Sequence, residues 1–344
     1  MADTILKILV SRLKYIGDII LTTPVIEVLR AKYPDSELHY LGDKEGVSLL
    51  AGNPALNRII PYDFNSTSIF EQLRISRLLR EEKYDVAIDL FGNPRSALVT
   101  FLSRAGMRIG GNFGWRGKTY THPMTIRERM TAVEFHLKYL APLGVNEPYR
   151  RPRVYLDASE ISNAREYLES LGLARGKPVI GLHIGATWPA KVWPARNFAR
   201  LADLMHEWLG ANVVVTHGPK DGKYLDEFSS TASNKFIDFP PADLRKLAAA
   251  ISCCDVYVSN DAAPMHISAA VGTPTVGIFG PGEPDIWFPY ERELGHVALK
   301  REIDCCHKDF CDLKGDDHLR CMKLIRPEDV YENVEQILKK KRVD

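Results

Sequence analysis

Twice along this chain, short apolar runs rich in β-branched residues alternate with longer stretches of helical period. Such alternation is the mark of βαβ units, which build a parallel sheet covered by helices on both faces. In the first half, Ile5–Ser11, Glu37–Leu41, Arg58–Tyr62 and Asp85–Phe91 predict strands, and Ile19–Lys32, Ser68–Glu82 and Thr131–Leu143 predict helices. In the second half the predicted strands are Val179–His183, Asn212–Thr216, Asp255–Ser259 and Thr275–Phe279. The helices there are Glu160–Leu171, Ala195–Leu209, Ala242–Ser252 and Met265–Val271. Between the halves NEPYRRPRVYL, 146–156, has two prolines and no helical period, and reads as a linker. With 344 residues the chain has room for two domains, each burying its own core. The expected fold class is therefore α/β, with two doubly wound, Rossmann-like domains over 1–150 and 157–325. An amphipathic helix within 326–344 is expected to pack back on the first domain. Sheets of this kind bind ligands beyond the carboxyl ends of their strands, so chemistry is expected in the residues just after strands, in a cleft between the domains.

Charge narrows the partners. Lys and Arg total 45 against 44 Asp and Glu, a formal net charge of +1, so the chain as a whole does not attract polyanions and any phosphate contact requires a local patch. No apolar stretch reaches the length of a membrane span, and MADTILKILVSRLKYIGD lacks a signal peptide's apolar region and cleavage site. A cytoplasmic location is expected, and six cysteines in such a chain are expected to be thiols.

Four post-strand segments carry candidate chemistry. Tyr15-Ile16-Gly17-Asp18 puts a glycine where the backbone turns and a carboxylate at the start of a helix. From spacing alone Asp18 reads first as a helix N-cap and second as a general base. Gly185 to Pro194, GATWPAKVWP, offers a hydroxyl at Thr187 and a cation at Lys191 in a proline-bounded loop, the parts expected around phosphate oxygens. It is not the nucleotide P-loop, whose GxxxxGK[ST] pattern is absent. The segment from Ser259 to His266 begins a helix with the small residues Ala262 and Ala263, leaving backbone N–H groups bare for an anion such as a diphosphate. Asp261 and His266 there read as ligand-binding groups or as an N-cap and a satisfied core histidine. Asp221, in the glycine-rich loop 216–222, is placed for a ribose hydroxyl, or simply makes a turn.

From Leu90 to Arg127 there is no acidic residue, while Arg95, Arg104, Arg108, Arg116, Lys118 and Arg127 interleave with Phe113, Trp115 and Tyr120. This is the local patch, suited to phosphates or carboxylates on sugars or lipids; no nucleic-acid reading motif accompanies it. Cys305, Cys306, Cys311 and Cys321, with His307 and His318, match no common zinc spacing, and structural thiols are expected rather than a metal site. Neither CxxC nor GxSxG occurs, which argues against redox and serine-hydrolase chemistry.

Taken together, GDIILTTPVIEVLRAKYPDSELHYL, DLFGNPRSA, LAPLGV, GATWPAKVWPARNF and NDAAPMHISAAVGTPTVGIFG resemble the ADP-heptose:lipopolysaccharide heptosyltransferases, glycosyltransferase family 9, in the family's order along nearly the whole chain. The runs GDIILTTPVI and APMHISAAVGTP look most like the branch that adds a third heptose to the inner core. The resemblance implies a GT-B fold and an inverting, metal-independent transfer that needs no cofactor besides the donor substrate, ADP-heptose. It implies a first domain for the acceptor and a second for the nucleotide sugar. Asp18 is then the general base, and Lys191, with Thr187, Asp221, Asp261, Ala262, Ala263 and His266, binds the donor. Gly17, Arg95, Arg116 and Lys118 are the acceptor side, meeting a lipopolysaccharide core at the inner face of the membrane. Many members carry a hydroxyl residue after the aspartate where Ala262 stands, so only backbone donors are left at that point. An epimerase or hydrolase on the same fold, or a non-catalytic nucleotide-sugar sensor, are the alternatives.

Overall fold

Each series of apolar runs closes into its own six-stranded, all-parallel sheet. The computed structural model describes residues 5–65, 69–303 and 310–341, and the chain divides into two units, Met1–Tyr155 and Leu156–Asp344.

In the first unit the order along the chain is β1 (Lys7–Arg12), α1 (Ile16–Leu21), α2 (Thr23–Lys32), β2 (Glu37–Asp43), β3 (Arg58–Tyr62), α3 (Ile69–Glu82), β4 (Val86–Asp89), α4 (Pro94–Leu102), β5 (Met107–Gly111), β6 (His122–Met124) and α5 (Ala132–Lys138). The strands lie side by side as β3-β2-β1-β4-β5-β6. The second unit repeats the plan with α6 (Ala158–Ser170), β7 (Val179–His183), α7 (Ala195–Leu209), β8 (Asn212–Thr216), α8 (Gly222–Thr231), β9 (Ile237–Phe239), α9 (Leu244–Ser252), β10 (Val256–Asn260), α10 (Ala263–Ala270), β11 (Thr275–Phe279), α11 (Pro284–Trp287), β12 (Val297–Lys300), α12 (Arg320–Lys323) and α13 (Pro327–Lys341). Its sheet runs β9-β8-β7-β10-β11-β12, the same winding. This is the Rossmann order, and its direction reverses between β1 and β4 and again between β7 and β10, the switch points where doubly wound sheets take ligands. Every residue of β4, β7, β10 and β11 is buried, as required of central strands covered on both faces.

The strands expected from the apolar runs are all present. Four more, β5, β6, β9 and β12, flank them at or near the sheet edges, and the helices α4, α8, α11 and α12 were likewise not expected from periodicity. The single helix expected over Ile19–Lys32 is two helices, interrupted at Thr22: the Thr22 and Thr23 hydroxyls donate to the Ile19 and Ile20 carbonyls at 2.7 Å each, and Pro24 restarts the second. The helix expected over Thr131–Leu143 ends at Lys138, and a 3₁₀ turn follows at Ala141–Leu143. The 146–156 segment forms no helix or strand and is fastened to α2, where the Arg153 N–H donates to Thr23 and the Tyr155 hydroxyl to Glu27.

The apolar stripe of the last helix, Val330, Tyr331, Val334, Ile337 and Leu338, is buried in the core of the second unit, against α7 and the strands β10 and β11. The stripe has the 3–4 residue spacing of a core-facing helix, and the uncovered face of the adjacent sheet is what it seals.

Two buried histidines make stability depend on pH. Burial, reinforced by the nearby Arg12 guanidinium, holds the His136 imidazole down at about 3, and burial with His217 close by does the same for His183. Both are neutral in the fold, whereas the unfolded chain takes up those protons near pH 6.5, so stability falls as pH drops from about 6.5 toward 3. Between pH 7 and 5 each histidine should cost about 2 kcal/mol. Asp329, held at about 2 by Arg326 and Arg301, titrates below that window. Urea unfolding at pH 7, 6 and 5 should show the loss, and His136→Gln and His183→Asn should each flatten the pH slope; a slope unchanged in both variants would refute the assignment.

Candidate active site

In the first unit the switch point is built around Arg12, the last residue of β1. Its guanidinium donates to the Leu90 carbonyl after β4 at 2.7 Å, lies 4.7 Å over the Phe91 ring, and pairs with Asp18 Oδ1 at 2.7 Å. Asp18 is the third residue of α1, following Gly17, and its Oδ2 accepts a long 3.4 Å bond from the Tyr15 N–H at the helix start. The carboxylate therefore has a capping contact and an ion pair at once. Neither reading of Asp18 taken from the sequence included Arg12.

Arg95, at the start of α4, donates to the Phe64 carbonyl and lies 5.1 Å over the Phe64 ring, which also carries Lys14 at 4.9 Å. Phe64 and Phe91 meet edge to face at 6.0 Å. Arg12, Lys14 and Arg95 thus surround two touching rings, an arrangement in which ring faces lower the cost of keeping three cations together. Arg116 donates to the Gly92 and Phe113 carbonyls and stacks 5.2 Å over Phe113, while Lys118 is exposed in the same 3₁₀ turn, Gly114–Thr119. Beneath them Asp89 shapes the loop after β4: its buried carboxylate accepts from the Phe91 and Gly92 N–H groups at 2.9 and 3.1 Å and from the Tyr120 hydroxyl at 2.7 Å. Burial pushes its carboxyl above the usual range, against the pull of these bonds.

In the second unit Asn260, the last residue of β10, holds the loop after β7. Its amide NH2 donates to the Gly185 carbonyl at 3.0 Å and its oxygen accepts from the Trp193 N–H at 2.9 Å, so both ends of the 185–193 loop are tied to a central strand. Trp193 is buried and donates through its indole to the Ile325 carbonyl, whereas Thr187 is exposed at the loop's outer bend. Lys191, at the end of the loop, comes to 2.8 Å from Asp261 Oδ2. Asp261 precedes Ala262, the N-cap of α10, which has no side-chain cap, so Lys191 and the start of that helix share one place.

The remaining donor candidates are held from outside the segments that name them. His266 Nδ1 is 2.7 Å from the Tyr290 hydroxyl, a partner no motif indicated. Asp221 Oδ2 accepts from the Gly218 N–H at 2.7 Å and presses on Gly185, where a Cβ would lie 1.8 Å from it; glycine is required there for the two loops to touch. Cys305, Cys306 and His307 lie outside the described residues. Cys321 is buried in the core, and the Cys311 sulfur accepts from the Leu319 N–H. Among the described residues Glu37, His39 and Glu82 come close enough to share a metal ion, but Lys7, Arg58 and Tyr84 already bond them, at the opposite edge of the first sheet from Asp18.

Arg12, Lys14, Phe64, Asp89, Asn260 and Tyr290 are the residues that motif reading passed over. Arg12, Lys14, Phe64, Asp89 and Asn260 stand at or just after strand ends, so their position along the chain was the available signal; Tyr290 had none.

Two sheets of identical Rossmann winding, each with its polar groups gathered at the switch point, are the build of a GT-B glycosyltransferase. The model for glycosyltransferase family 9 (heptosyltransferase) matches residues 72–315, and the chain belongs to that family. It is 27% identical to lipopolysaccharide heptosyltransferase 3 of Escherichia coli K12, over 92% of this chain and 97% of that protein. It is 26% identical to lipopolysaccharide heptosyltransferase 2 of Salmonella typhimurium, over 98% and 100%. Among solved structures, the family 9 glycosyl transferase of Veillonella parvula superposes with a TM-score of 0.86 at 26% identity over 99% of both chains. The E. coli ADP-heptose lipopolysaccharide heptosyltransferase II shares the fold, with a TM-score of 0.82 at 23% identity over 98% of this chain and 100% of that one.

Removing the Asn260 amide should release the 185–193 loop. Asn260→Ala leaves two buried backbone groups unpaired and is expected to lower unfolding free energy by about 2 kcal/mol or more in urea titrations. Amide exchange should become faster at Trp193, whose N–H loses its acceptor; unchanged exchange there would argue against the tie.

Proposed function

We propose that this protein transfers a heptose from ADP-heptose to a sugar hydroxyl of the lipopolysaccharide inner core, with inversion at the anomeric carbon. The observation that carries the reading is the meeting of Lys191 with Asp261 at the uncapped start of α10, in a chain of family 9 whose relatives are named as lipopolysaccharide heptosyltransferases. A diphosphate leaving group needs that chemistry. Lys191 has N–H donors beyond the one turned to Asp261, and the bare N–H groups at Ala262 and Ala263 add the positive end of a helix dipole.

In the reaction the acceptor oxygen forms its bond to C1 as the C1–O bond to the β-phosphate breaks; the electron pair departs on ADP, and the acceptor proton passes to Asp18. Oδ2 of Asp18, held among the described residues by the long bond from Tyr15, is the oxygen assigned to receive it, while Arg12 fixes the carboxylate through Oδ1. Thr187 and His266 line the donor side, and Asp221 retains Oδ1 for a ribose hydroxyl. No step calls on a metal or a further cofactor. Gly17 stands with Asp18 on the acceptor side, and Arg95, Arg116 and Lys118 meet the acceptor's carboxylates and phosphates. Such an acceptor is lipid-anchored, which places the enzyme at the cytoplasmic face of the membrane. No helix among the described residues is long and apolar enough to cross one.

Purified protein incubated with ADP-heptose and a heptose-deficient core should add one heptose mass to the acceptor. Asp18→Asn should retain ADP binding and lose about 10²-fold or more in turnover. Lys191→Ala should lose about 10²–10³. An Asp18→Asn enzyme working at the parental rate would remove Asp18 as the base, and ADP released equally fast without acceptor would point to a hydrolase.

A further inference from the structure

The outward face of α4 is apolar where solvent-facing helices are ordinarily polar, and the neighbouring α3 adds exposed apolar side chains among its arginines. The two helices lie together on one face of the first sheet, where Ile75, Leu79 and Val99 share a buried cluster with Leu9 and Leu41. On the solvent side α3 presents Phe70, Leu73, Arg77 and Arg80, at helical spacing, with Phe70 79% exposed. All three exposed residues between Pro94 and Ser103 on α4 are apolar: Leu98, Phe101 and Leu102. Trp115, 60% exposed, stands on the 3₁₀ turn that packs against α4.

Charge indicates what covers this face. Arg74 and Arg77 are paired with Glu71 and Glu81, but Arg80 and Arg104 are exposed and carry no ion pair among the described residues. No acidic residue occurs from Leu90 to Arg127. The apolar side chains stand on the solvent sides of two neighbouring helices. A lipid surface suits this combination: phenyl, indole and leucyl groups enter the acyl boundary while neighbouring arginines meet anionic headgroups.

We propose that the outer face of α3 and α4, with Arg80 and Arg104 at its ends, docks on an anionic lipid bilayer. Phe70 and Arg95 begin these helices at the sheet edge that carries Asp18, so docking holds that edge beside the membrane. The inference extends the reading of a lipid-anchored acceptor, and its test uses neither donor nor acceptor, so each can fail without the other.

The full chain should sediment with phosphatidylcholine vesicles containing about one third phosphatidylglycerol, and bind less to neutral vesicles and at high salt. Leu98→Glu/Phe101→Glu should weaken binding about tenfold or more, and Arg80→Glu/Arg104→Glu should weaken it while removing its salt dependence. Both should keep the parental melting curve and parental turnover on a water-soluble, deacylated acceptor. Trp208→Glu, at an exposed aromatic of the second unit, should bind vesicles as the parent does. A parent that stays in the supernatant, or variants that sediment equally well, would overturn the proposal. So would a parental dimer that Leu98→Glu/Phe101→Glu dissociates, since the face would then belong to a second copy of the chain.

Discussion

Asn260 joins two backbone groups that would otherwise have no partner, the Gly185 carbonyl and the Trp193 N–H, and does so from the end of a strand with no freedom to move. The loop that carries Thr187 and Lys191 has no regular structure beyond one 3₁₀ turn, so its shape depends on those two bonds and on the buried Trp193 indole. Lys191 reaches Asp261 because the loop is closed in this way. Arg12 has the same task in the first unit. It ends β1, reaches across to the Leu90 carbonyl after β4, and orients Asp18 in passing. In each unit a polar side chain at the end of a strand beside the switch point converts a rigid sheet into a positioned loop, which is how a fold with mobile connections keeps reacting groups in place.

The central part of both sheets was legible because burial on two faces demands continuous apolar, β-branched runs: LVS, VAID, VIGL, VYVS and TVGIF leave little choice of structure. The flanking strands were not, for the opposite reason. β6 is His-Pro-Met and half open to solvent, and β12 is partly exposed throughout, so neither has a buried pattern to show. β5 ends in Gly110 and Gly111, residues that weaken a strand signal; they are glycines because the Tyr120 and Phe113 rings lie where their Cβ atoms would be, at 2.3 and 2.1 Å. The packing that explains these residues depends on how the Phe113 and Tyr120 rings fold back on the strand, which composition does not show. α4 escaped notice because its exposed face is apolar and erases the contrast on which periodicity depends.

At the candidate site the motif residues were legible and their partners were not. Asp18, Lys191, Asp261 and His266 stand out because each follows a strand in a segment of distinctive composition. Arg12 looked like an ordinary strand terminus and Tyr290 like one aromatic among many. Long-range contacts of 78 residues for Arg12 with Leu90 and 24 for His266 with Tyr290 have no signature at that distance in sequence. Asp18 is not itself the N-cap, which is Tyr15; from the third helical position one of its carboxylate oxygens accepts the Tyr15 N–H while the other meets Arg12.

A formal charge of +1 is no obstacle to binding anions, because the acids nearest the two switch points are already engaged. Asp18 is paired with Arg12, Asp89 is enclosed by two N–H groups and a hydroxyl, Asp221 takes the Gly218 N–H, and Asp261 faces Lys191. What these edges present outward is then mostly donors: the cations around Phe64 and Phe91 in one unit, a lysine and a bare helix start in the other. Carboxylates used internally in this way hold the cations in position and lower their mutual repulsion, and they leave enough donor capacity for a phosphate to compete. The balance of charge over the chain and the donors at these two switch points are therefore two consequences of one arrangement, in which the nearest acids are engaged internally.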